Sequence, residues 1–180
     1  MRFNVMALSF VLLASTPAHA HDCEAKAAQV VSKLGATIEE RSSTTISLHH
    51  GAVPDGFTIG CDPASSPADG PDINLSWDTK APSASFWSLA ASAGAIITDA
   101  PTRAIEAGAR ACYDAVRKTK DGIAEVSRHE IRYECALLPE GEGSFAISIF
   151  RRDAAKQKEV DRQFENSMAQ LRTKTQTAKR

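Results

Sequence analysis

Four cysteines constrain this chain more than any other feature, because Cys23, Cys61, Cys112 and Cys135 each fall on the apolar side of a different element. Cys23, Ala27, Val30 and Leu34 follow the spacing i, i+4, i+7, i+11, the buried stripe of an amphipathic helix. Cys112 lies likewise with Ile105, Ala109 and Val116. Phe57, Ile59 and Cys61 alternate along one side of a strand, as do Ile131, Tyr133, Cys135 and Leu137. A bridge from a helix stripe to a sheet face is therefore expected twice. Nearness in sequence selects Cys23 with Cys61 and Cys112 with Cys135 among the possible pairings, each worth roughly 3 kcal/mol in the entropic account of loop closure. No CxxC occurs, which argues against a thioredoxin-type redox site.

Disulfides require an oxidising compartment, and the start of the chain supplies the route to one. Arg2 precedes the apolar run Phe3 to Leu13, and Ala18-His19-Ala20 has the small residues that a signal peptidase reads. The run is about 10 residues, where a membrane-spanning helix needs about 20. Residues 1–20 read as a signal peptide, so the protein is expected to be periplasmic or secreted, with His21 as its first residue. Ala20-His21-Asp22 lacks the small apolar residues of a lipobox before Cys23, so a lipid anchor is not expected. Alanine supplies 30 of the 180 residues, which suits a bacterial periplasmic protein.

The remaining 160 residues suit one domain. A helix over about 22–34 ends at Gly35, and short strands follow over about 36–41, 44–50, 56–61 and 72–77. Val53-Pro54-Asp55-Gly56 reads as a turn, and Asp62 to Pro71, with three prolines, as a surface loop. Phe86, Leu89, Ala90, Ala93, Ile96 and Ile97 mark a second helix, and Pro101 starts a third that runs to about Lys118. Two longer strands, about 127–137 and 144–151, are expected to form a hairpin through Pro139 to Gly143. The outward positions of the first are Arg128, Glu130, Arg132 and Glu134. The expectation is thus an α+β domain over 21–152, an antiparallel sheet of about six short strands with helices packed on one face and two disulfides. Val160, Phe164, Met168 and Leu171 predict a C-terminal amphipathic helix within 153–180, ending in a frayed basic tail. The order of elements resembles the bacterial secretion-chaperone architecture, a resemblance of fold that implies no function.

Charge narrows the partners. Residues 151–180 hold nine basic and four acidic side chains, so the otherwise mildly acidic body carries a net −7, a poor match for nucleic-acid phosphates. No phosphate-cradling, zinc-protease or serine-hydrolase motif is present, and His129-Glu130-Ile131-Arg132-Tyr133 only imitates the start of a zinc helix. Glu39-Glu40 and Glu140/Glu142 read as solvated surface. Of the histidines, His50 and His129 share the apolar parity of their strands and read as groups at the rim of the core. His21, with its free amine, resembles the histidine brace of exported copper proteins, a resemblance of one residue that implies a copper ligand set completed by a second histidine such as His50 or His129. Trp77, Phe86 and Trp87 read as core, with a cleft at that corner as a conceivable apolar site.

The sequence therefore points to a non-catalytic binding or interaction domain, with a periplasmic protein or envelope component as partner. No transmembrane segment and no cofactor are expected. A copper-binding protein using His21 and a hydrolase with dispersed catalytic residues are the alternatives. The oligomeric state is not encoded legibly.

Overall fold

The computed structural model describes residues 18–61, 70–79, 81–137 and 145–152, together with Arg162. Helix α1 (Ala18–Leu34) is followed by strands β1 (Thr37–Arg41), β2 (Thr45–His50), β3 (Val53–Gly60) and β4 (Asp72–Trp77). Helices α2 (Ala84–Thr98) and α3 (Thr102–Val116) come next, then β5 (Ile123–Arg128), β6 (Ile131–Ala136) and β7 (Phe145–Arg151). All seven strands form one antiparallel sheet in the order β1-β2-β3-β4-β7-β6-β5. The fold is the expected α+β arrangement with one strand more than the sequence suggested.

Alternation along the strands dictates where the helices sit. Ile46 and Leu48, Phe57 and Ile59, Ile73 and Leu75, Ile147 and Ile149, and Tyr133 and Cys135 are all buried on one side of the sheet. On that side α1 lies towards β3, α2 over the central strands β4 and β7, and α3 over β5 and β6. The central helix α2 is the most apolar, with Phe86, Ala90, Ala93 and Ile97 buried and Ser83 as its N-cap, accepting from the Phe86 amide at 3.1 Å. Gly94 lets α2 approach its neighbours, since a Cβ there would meet Ile105 Cγ2 at 2.8 Å. The opposite side of the sheet is mostly polar: Ser148 donates to Asn74, and Arg132, which lies over the ring of Phe150, pairs with Glu125 and with Glu134.

Both expected cysteine pairs are formed. Cys23 of α1 joins Cys61 at the end of β3, and Cys112 of α3 joins Cys135 of β6, with Cα separations of 5.7 and 6.0 Å. Because neighbouring strands run in opposite directions, the first pair lies at the end of the sheet where β3 finishes and the second at the end where β6 finishes. The bridges occupy opposite corners.

Two expectations are corrected. Val53-Pro54-Asp55-Gly56 is not the connecting turn; it is the start of β3, and the chain reverses at Gly51-Ala52. Leu48 pairs with Phe57 and His50 with Val53, so the three residues Pro54, Asp55 and Gly56 bulge opposite His49. A bulge tolerates the missing amide of proline and uses the positive φ of Gly56 (74°), which is why turn chemistry appears inside a strand. The single strand expected over 127–137 is two strands, β5 and β6, reversing at His129-Glu130. Arg128 is paired directly with Ile131, so it shares the helix-covered side of the sheet and is not outward with Arg132. The expected loop at 62–69, the Pro139 to Gly143 turn and the C-terminal helix lie outside the described residues, apart from Arg162, which is helical.

Candidate functional site

The residues singled out from sequence do not converge. His50 ends β2, and its Nδ1 accepts from the Ala52 amide at 3.0 Å, the rim role expected of it. His129 opens the turn between β5 and β6. Five strand spacings and the full height of the sheet separate the two, about 24 Å across the strands alone, so they cannot share one ion. His21 falls in the first turns of α1, with its side chain outside the described residues. Among the described residues no group of three or more histidine, cysteine, aspartate or glutamate side chains is placed to hold a metal. The Trp77 corner is filled rather than open. Phe86 packs edge-on against Trp77, Trp87 and Phe145 at centroid distances of 5.6, 5.3 and 5.9 Å, and Tyr113 closes the cluster at 5.1 Å from Phe145.

A cleft of about 550 Å³ lies elsewhere, between the first half of α3 and the end of the sheet where β5 turns into β6. Its apolar wall comes from Pro101, Ala104, Ala107 and Ile131. The short side chains of Ala104 and Ala107 on α3 leave this space unfilled. Its polar rim comes from Arg128, His129, Glu130 and Arg151, with Asp99 at the α2–α3 junction.

Register places the two arginines. Arg128 pairs with Ile131, and Ile131 with Arg151, so one row across β5, β6 and β7 reads Arg-Ile-Arg on the side that α3 covers. Two strand spacings put the arginine backbones about 10 Å apart, either side of the isoleucine that floors the cleft. Both are exposed, and neither makes an ion pair or a side-chain hydrogen bond among the described residues. Other guanidiniums are engaged: Arg110 with Glu106 at 2.8 Å, and Arg132 with its two glutamates.

One row deeper, Tyr133 is buried, and its hydroxyl donates to the Ala104 carbonyl at 3.4 Å. Burial pushes its phenol up to about 12, against the opposing pull of the Arg128 charge, so it stays a neutral donor. The carboxylate of Asp99 is answered by the buried Lys26 of α1, whose Nζ donates to Asp99 Oδ1 at 2.6 Å and to the Ile96 carbonyl at 2.8 Å. This ties α1 to the C-terminal end of α2, where a cation is favoured.

Asp99 and His129 are the two non-glycine residues with positive φ among those described, at 54° and 56°, and both line this cleft. Asp99 has the left-handed conformation common just past a helix end. His129 occupies the first central position of a two-residue hairpin turn with φ above zero, where glycine is the residue without strain. An imidazole is carried there in spite of the backbone cost.

Sequence reading took His129 for a strand residue and Arg128 for an outward one because Arg128-His129-Glu130-Ile131 contains no glycine, proline or asparagine to signal the turn. The available signal was the parity of Ala124 and Val126, which fits an extra strand ending at Arg128. Among the described residues no helix is long and apolar enough to cross a membrane. No protein-family model, no curated protein and no solved structure matches this chain.

Proposed function

We propose that this protein is an exported, non-catalytic binding domain of the cell envelope, and that its ligand seats in the cleft between α3 and the β5–β6 turn. The observation that carries this reading is His129, a side chain held in a left-handed turn position at the mouth of a cleft of small-ligand size. The described lining holds groups that grip and orient a ligand, namely guanidinium, imidazole and phenol. It includes no serine, threonine or cysteine to act as nucleophile beside the imidazole, which weighs against the hydrolase alternative. The signal-peptide pattern supports export, and intact-mass measurement of protein recovered from the periplasm is expected to give a chain that begins at His21.

The binding reading is tested by amide chemical-shift mapping with a panel of small amphiphiles of positive, negative and zero charge. At least one class is expected to move the amides of residues 99–107 and 128–133. His129→Gly is expected to keep or raise the melting temperature, since it relieves the turn, while weakening that response. A panel that moved no cleft amide, or that moved the Trp77 and Phe86 region instead, would reject the reading.

A further inference from the structure

We propose that Arg128 and Arg151 form a two-pronged clamp for the anionic head, carboxylate or phosphate, of a small amphiphile whose apolar part lies against Pro101, Ala104 and Ala107. This inference rests on the cleft being the ligand seat and adds the chemistry of what it takes.

The register is the first support. Arg128 and Arg151 flank Ile131 in one row, on one side of the sheet, and arrive from strands on either side of β6. Each side chain is long enough to swing inward over the isoleucine, so a single head group between them can be gripped from both sides. Guanidinium suits such a role, because its planar fork matches the oxygens of a carboxylate or phosphate.

The second support is that, among the described residues, no carboxylate is paired with either arginine. Lys26 neutralises Asp99 at 2.6 Å, which leaves Glu130 as the one carboxylate of the described lining without a cationic partner. Two arginines against one glutamate leave a formal charge of +1 at the rim, enough for one monovalent head. A cationic spot of this kind would draw an anion to this end of the sheet. The third support is the wall itself: three small apolar residues and the isoleucine floor offer nothing to a purely polar anion but would cover a short hydrocarbon.

The probes are octanoate, octyl phosphate, octanol, octyltrimethylammonium and inorganic phosphate, titrated into the wild-type protein with the same amide shifts as readout. At least one of the two octyl anions is expected to bind at least tenfold tighter than octanol. That advantage is expected to vanish in Arg128→Gln/Arg151→Gln, with octanol affinity unchanged. Both side chains are exposed, so the variant is expected to keep the wild-type circular dichroism spectrum, and Arg151→Lys, which keeps the charge and loses the fork, is expected to fall between. Preference for octanoate or for octyl phosphate identifies the head, and either supports the clamp. If octanol or the cation binds in the cleft as tightly as the anions, or if inorganic phosphate matches octyl phosphate, the clamp is overturned while the cleft remains a binding site. If no probe moves the cleft amides, the binding reading falls with it.

Discussion

Gly108 and Tyr133 illustrate how closely single residues determine the cleft. A Cβ on Gly108 would lie 2.1 Å from Tyr133 Cζ, so the phenol ring rests on bare helix backbone. Gly108→Ala has to displace the ring or lift α3, and is expected to destabilise the domain by about 1–3 kcal/mol, the range for an overpacked core. Urea unfolding measures this, and an alanine variant as stable as the wild type would show that the ring does not sit there. The phenol makes a second prediction. Its pKa is raised to about 12 in the folded chain, against about 10 when unfolded. The folded state therefore holds the proton more tightly, and the contribution to stability is complete below pH 10. It is lost as the pH climbs from 10 through 12, where the unfolded chain ionises first. In Tyr133→Phe this part of the alkaline decline is expected to disappear. The chain has only two tyrosines, so the high absorbance step that the variant removes is assignable to Tyr133.

Among the elements, helices and their faces were the most legible. The stripe through Cys23 and the stripe through Cys112 each identified the buried side of a helix, strand alternation identified the side of the sheet it meets, and nearness in sequence then selected the two pairings that the structure has. This works because burial imposes a period on the sequence, 3.6 for a helix and 2 for a strand. Reversals of the chain were less legible, because glycine and proline did not consistently mark where they fall. Pro54 to Gly56 carries both and is a bulge, whereas His129-Glu130 carries neither and is a turn. The candidate site depended on that second reversal, because moving the turn by a few residues carries Arg128 from the open side of the sheet to the covered one. A site built from register across three strands has no signature in any one of them. Helix α2 yields a further test. Its N-cap is Ser83, whose Oγ satisfies the Phe86 amide. Ser83→Ala is expected to cost about 1 kcal/mol, read as a lower denaturant midpoint with an unchanged slope. A much larger loss would mean that the hydroxyl supports more than the cap.

For the molecule as a whole, the placement of the two cysteine pairs at opposite corners determines which parts can move. Helix α3 and strand β6 run in the same direction, from the cleft towards Cys112 and Cys135. The distance from Ala104 to Cys112 is about 12 Å along the helix, and from Ile131 to Cys135 about 13 Å along the strand. The disulfide therefore closes one end of this pair, while the cleft lies at the other end, where the short α2–α3 connection and the packing of Tyr133 hold the helix. Amide hydrogen exchange in the oxidised protein is expected to slow progressively from Ala104 to Val116, and reduction followed by alkylation is expected to flatten the gradient. Uniform protection in the oxidised form would contradict this. With one end pinned by the disulfide, motion of α3 would take the form of a lever turning about its fulcrum, and a small rotation there would become a larger change in the width of the mouth. The bond between Cys112 and Cys135 would thus also set the stiffness with which the cleft closes on a ligand.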